Sequence, residues 1–409
     1  MSLVDFAPPR DAGTPDAGTS WFTLWGRGFR PFFLLAAAYA ALAVAFWLAV
    51  LGAWAAAPRW LSPSLWHAHE MLFGFVAAAI AGFLLTSVPV WTGRTPVTGL
   101  RLAALAALWI AGRAAMAAAG RLPLLAVALA DASFLGALAL AVALPIARSG
   151  QRRNYGFAVV VAALALANGL VHLDALGLAP GGATRGVTVG VDLVTLLVVL
   201  VGGRITPAFT ANALRRAGVD TEVRSSPGAD RLAFGALAVM AAVDAVWPRG
   251  VASGALAAVA AAASAWRMRG WRSARALGDP LVWSLHLGQA WVVVGLACVG
   301  ASGLGLPLPW TTGVHALTAG AFGSMILAVM TRVALGHTGR PLVVPRGIAW
   351  AYGLASAGAA LRVVGPLVGA AWALPALVAS GLLWALAFAL YLVRYARILV
   401  SPRVDGTPG

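Results

Sequence analysis

The chain has no lysine, a single cysteine, and only 13 acidic residues among 409. One cysteine, Cys298, excludes an internal disulfide and any metal cluster built on cysteine. It falls in an apolar run and reads as a small buried hydrophobe. No C-x-x-C-H motif is present, so any haem is held without a covalent bond. Charged residues make up 10% of the chain against 61% hydrophobic ones. A soluble domain of this length cannot cover its surface with so few charges. The charge that exists is arginine: 29 of them give a formal +16. They fall in short loops between apolar runs, which excludes nucleic acid as the partner and selects the lipid bilayer.

Long apolar runs are what the chain has instead, and its mean hydropathy is +0.86. A hydrocarbon core of ~30 Å needs about 20 such residues per helix. Runs near 30–53, 67–91, 100–119, 123–147, 155–178, 186–206, 231–247, 251–269, 280–302, 312–335, 347–369 and 373–396 meet that need. The spacing predicts an all-α membrane protein of about twelve transmembrane helices over residues 29–398. Polar tails flank it at 1–28 and 399–409. Residues 1–28 carry Asp5, Asp11 and Asp16 and no apolar core, so they read as a tail and not a cleavable signal peptide. The tails and the loops after even-numbered spans, with the span ends that border them, hold 23 arginines. The opposite loops hold four: Arg59, Arg121, Arg185 and Arg249. That asymmetry predicts both termini in the cytoplasm.

A weak internal repeat is visible. Thr92-Gly93-Arg94-Thr95-Pro96, Gly203-Arg204-Ile205-Thr206-Pro207 and Thr338-Gly339-Arg340-Pro341 each stand at the expected end of spans 2, 6 and 10. Aligning the first with the third sets His69 opposite His315, each 23 residues before its threonine. Three related four-helix units follow from this, although Gly-Arg-Pro punctuation is also ordinary loop chemistry.

All six histidines lie in or at the ends of these runs. Ionisable groups inside a membrane are costly and usually functional, and imidazole is a common ligand of metals and of haem iron. His67, His69, His172 and His315 share one membrane level, the outer one, and are candidate haem ligands. His67 and His69 are two apart on a helix, so their rings point about 200° apart and suit two cofactors on opposite faces. Asn168 shares a face with His172, and Glu70 is placed to orient a ring nitrogen. Arg59 and Arg185 stand at the right level to pair with haem propionates. His286 and His337 share the inner level, as ligands of copper or a second haem, or as hydrogen-bonded helix-end residues. Arg113 and Asp131 are expected to form an ion pair, and Asp174 and Asp192 are candidates for a proton path. Met71, Met325 and Met330 read as core packing before soft copper ligands.

The longer motifs carry a resemblance. Gly28-Phe29-Arg30-Pro31-Phe32-Phe33, Trp66-His67-Ala68-His69-Glu70-Met71-Leu72-Phe73-Gly74 and Gly202-Gly203-Arg204-Ile205-Thr206-Pro207-Ala208-Phe209-Thr210 resemble the NnrS family. So do His315-Ala316-Leu317-Thr318-Ala319-Gly320-Ala321 and the run from Met330 to Pro341. The resemblance implies a bacterial inner-membrane protein with haem and copper, tied to nitric oxide metabolism and nitrosative-stress defence. It assigns no ligands. The three-unit plan also resembles the catalytic subunit of haem–copper oxidases. Spans 6 and 7 lack the histidines that such subunits use for their second metal.

The expected function is that of a b-type haem protein with one or two haems that binds nitric oxide. It would remove NO reductively, as an oxidoreductase, with electrons from quinol or a redox protein. The alternatives are a haem-dependent NO sensor or assembly factor, and a metal or haem transporter.

Overall fold

The computed structural model describes residues 23–407. The expected tail at 1–28 therefore lies mostly outside the described residues, as does the very end of the tail at 399–409. Among the described residues twelve long helices appear in chain order and no strand. They are α1 Phe29–Leu51, α2 Pro63–Thr92, α3 Gly99–Ala117, α4 Leu124–Ser149, α5 Tyr155–Ala175 and α6 Gly182–Arg216. They continue as α7 Pro227–Val246, α8 Val251–Met268, α9 Pro280–Gly303, α10 Trp310–His337, α11 Ile348–Val368 and α12 Ala370–Val400. Eleven are long and apolar enough to cross a membrane. The twelfth, α7, carries Asp230, Arg231 and Asp244 within 20 residues.

Local chemistry sets several helix starts. Ser62 caps α2 by accepting from Leu65 N–H at 3.3 Å, with Pro63 in the first turn. Asp279 caps α9 in the same way, again before a proline. One expectation fails here. Gly203-Arg204-Ile205-Thr206-Pro207 does not close α6, which runs on to Arg216. A proline removes a single N–H, here the helical donor to the Gly203 carbonyl, and the turns on either side hold the helix continuous. The corresponding motifs do end α2 and α10, each with a left-handed glycine, Gly93 (φ 65°) and Gly339 (φ 72°).

Of the eleven apolar helices, α2, α6 and α10 are the most enclosed. They meet around an apolar cavity of about 70 Å³ whose lining includes Val76, Phe83, Val198, Val201, Met325 and Val329. The helices that the repeat expectation aligns are thus the three central ones. Small residues allow close crossings in the absence of a hydrophobic drive between helices in lipid. Gly254 of α8 and Gly303 of α9 are one such pair: a Cβ on Gly254 would come within 2.8 Å of Gly303.

Both α2 and α10 change hydrogen-bond pattern near their starts. A seven-residue π segment, Glu70–Val76, follows His69 directly. Another, Ala316–Phe322, follows His315 directly. The alignment of these two histidines therefore has a backbone counterpart.

Opposite that end of the bundle, the chain closes on itself. Buried Arg30 donates to the carbonyls of Leu399 and Ser401, both at 2.7 Å. Phe29 N–H donates to Thr86 Oγ1 at 3.0 Å. Arg403 donates to the His337 carbonyl and pairs with Asp405, whose carboxyl it holds below the usual carboxylate range. A carboxylate depressed in this way contributes above its unfolded pKa, ~4, and is lost only as pH falls through the lower folded value. The tail contact should thus survive mild acid. Replacing Arg30 with Met should cost about 1.5–3 kcal/mol for each carbonyl left without its charged donor. A clear drop in the melting temperature of the detergent-solubilised protein checks this; an unchanged value would show that the clasp does not hold the termini.

Candidate metal and haem centre

Glu70 and Asp131 are two acids buried in an apolar bundle, so each needs a compensating charge. Arg113 of α3 supplies it to both. Its Nη1 donates to Glu70 Oε1 at 2.5 Å, and its Nη2 donates to Asp131 Oδ1 on α4. The hydroxyl of Tyr39 on α1 donates to Glu70 Oε2. The expected Arg113–Asp131 ion pair is present, and it is one arm of a larger network.

That network holds two of the sequence-expected histidines. His69 Nδ1 lies 3.0 Å from Glu70 Oε1, so Glu70 is within reach to orient this ring. His69 Nε2 lies 2.9 Å from Asn168 Oδ1 and 3.2 Å from Asp131 Oδ2. His172 Nε2 lies 2.8 Å from Asp131 Oδ2, which also accepts from Asn168 Nδ2 at 2.8 Å. Trp60 stands over both imidazoles, with ring centroids at 5.1 and 5.5 Å. His69, Asp131 and His172 each offer a ligand atom, all within 4.8 Å of one another.

The donor set fits a cation. His69 Nε2 faces only acceptor atoms, an amide oxygen and a carboxylate oxygen. The contact is favourable only with a proton or a metal ion between them. Two imidazoles and one carboxylate are also a familiar set for a first-row transition ion. His172 Nε2 faces the Asp131 carboxylate, so without a metal the ring's proton sits there, and its buried Nδ1 has no partner among the described residues.

The other two outer histidines form a second group. His67 points away from His69, as their spacing requires. Its ring stacks on Trp47 of α1 at 4.5 Å and 9°. His315 of α10 is its electrostatic neighbour, and Arg362 of α11 is a neighbour of both. His315 Nδ1 lies 2.7 Å from the Thr311 carbonyl, which places a proton on Nδ1 and leaves Nε2 as a free lone pair. Two half-buried imidazoles with a guanidinium among their electrostatic neighbours have the donor chemistry for a haem and one of its carboxylates. Arg59 and Arg185 are exposed; Arg59 packs over Gly120.

The inner pair is not brought together. His286 lies between two hydroxyls, Thr210 Oγ1 at 2.8 Å and Ser273 Oγ at 2.9 Å. His337 packs on Phe29 at 5.7 Å, in the clasp that closes the termini. Asp174 accepts from Ala183 N–H at 2.9 Å and so caps the start of α6. Sequence reasoning missed Arg362 and Tyr39 as site residues. Arg362 carries a usable signal, a charge inside an apolar span. A tyrosine on α1 carries none.

Changing Arg113 to Gln should leave Glu70 and Asp131 uncompensated and cost about 3–5 kcal/mol. The double change Arg113→Gln with Glu70→Gln should recover part of that loss. Melting curves of the single and double variants check the coupling, and additive losses would dissolve the network.

No curated protein matches this chain. The family model described as NnrS protein matches residues 23–403, a stretch that contains every histidine and carboxylate of the two groups. The chain belongs to the NnrS family.

Proposed function

We propose that this chain is a b-type haem protein of the bacterial inner membrane that binds nitric oxide and removes it reductively. Membership of the NnrS family supports a role in the nitric oxide response. The observation that carries the reading is the helical turn Trp66-His67-Ala68-His69. It gives one histidine to a group suited to haem and the next to a group suited to a metal ion.

In this reading His67 and His315 hold a haem, and Arg362 takes a propionate. Trp47 fixes the plane of the His67 ring, and the Thr311 carbonyl keeps His315 Nε2 unprotonated. His69, Asp131 and His172 hold a single transition ion, copper or iron. Arg113 keeps Glu70 and Asp131 ionised, and so keeps the imidazoles turned towards the ion. Bound haem would supply an iron that carries electrons and takes NO. Two NO with two electrons and two protons give one N₂O and one water, and quinol supplies electrons and protons in that ratio. NO is small and apolar, so it reaches the site through the bilayer. Both termini face the cytoplasm, which places the four histidines towards the outer face.

A reduced-minus-oxidised spectrum of the purified protein, with metal analysis, tests this. The wild type should show b-type bands that NO shifts. His67→Ala and His315→Ala should each lose or broaden them. His69→Ala and His172→Ala should keep the haem bands and lose the second metal. A colourless wild type, after expression with ample haem, overturns the reading and favours transport. A haem that binds NO without turnover favours a sensor.

A further inference from the structure

A second pair of acids stands away from the histidines and has no arginine like Arg113. Asp192 lies on α6 and Asp244 on α7, at the contact between these helices. Both are buried, and their carboxyls lie within hydrogen-bonding reach of one another. Ionised carboxyls only accept, so two of them cannot share such a bond unless one carries a proton. Two unpaired charges at that distance in an apolar bundle would be prohibitive.

The surroundings say which acid holds the proton. Asp244 Oδ1 receives two donors, Ser253 Oγ–H at 2.5 Å and the Arg249 N–H at 2.9 Å. That favours Asp244 as the carboxylate. The Arg249 guanidinium, an electrostatic neighbour of Asp244, lies over the Trp310 ring at 5.8 Å. The Oδ2 atoms of both acids are buried without a partner among the described residues. Thr188 stands one turn before Asp192 on the same helix face, about 95% enclosed, and its hydroxyl is also without a partner. Unsatisfied buried oxygens on both acids, with an unsatisfied hydroxyl one turn from Asp192, suit something small and positive.

We propose that Asp192 and Asp244 form a one-proton site, in which the Asp192 carboxylic acid donates to the Asp244 carboxylate and the proton exchanges with water through the Arg249 turn. Asp244 is two residues from the end of α7, and Trp247 beyond it is exposed, so the route to water is short. Arg249 also touches the first residue of α10, Trp310, whose helix carries His315. The site depends only on the acids and their donors, so it stands whether or not the haem reading does.

Infrared difference spectra of the full-length protein in lipid, with isotope-labelled aspartate, test this. The wild type should show one protonated aspartate C=O band that shifts in D₂O. Asp192→Asn, whose amide can still donate to Asp244, should remove it. Ser253→Ala should move it without removing it. An absent wild-type band, a band that does not respond to D₂O, or one that survives Asp192→Asn would overturn the proposal. So would thermal stability that rises with sodium in the wild type alone, which would make the site one for a metal cation. The wild-type band alone can overturn the proposal, even if a variant fails to fold.

Discussion

The double ion pair of Arg113 fixes the chemistry of this bundle. An apolar interior tolerates a carboxylate only beside a cation, and Arg113 serves two carboxylates from one planar group. Glu70 and Asp131 can then stay ionised, and each can orient an imidazole. Without that guanidinium the acids would be driven neutral or the helices apart. The positions of His69, Asn168 and His172 all follow from it.

The same design recurs with different charges. Near the end of α3 stands Arg113, near the end of α7 Asp244, and near the end of α11 Arg362. Each addresses the preceding helix of its own unit: Glu70 on α2, Asp192 on α6, His315 on α10. In the helix pairs α2–α3, α6–α7 and α10–α11 an ionisable group late in the second helix thus has an ionisable neighbour on the first: base by acid, acid by acid, and guanidinium by imidazole.

Much of this is legible in the chain because membrane physics leaves few options. Apolar run length and arginine placement point to the twelve helices, since lipid tolerates little else. The 200° separation of His67 and His69 follows from helix geometry, as does the shared face of Asn168 and His172. What stayed hidden was long-range. Nothing local says that Arg113 reaches Glu70 as well as Asp131, that Tyr39 caps Glu70, or that Asp192 meets Asp244. The unbroken helix at Thr206-Pro207 has a different source. Proline predicts the loss of one hydrogen bond, but not whether the turns around it will hold the helix together.

The two π segments give α2 and α10 a property that a plain helix lacks. Each residue added to a helix turns everything before it by about 100° relative to everything after it. The widened turns below His69 and His315 therefore set the azimuth of the histidines separately from the packing of the lower helix. Deleting one residue from either segment would restore an ordinary α-turn and leave the lower core in register. The histidines above it would swing away from their partners. The site can thus be re-aimed by a change of length alone, in a stretch where no side chain need change.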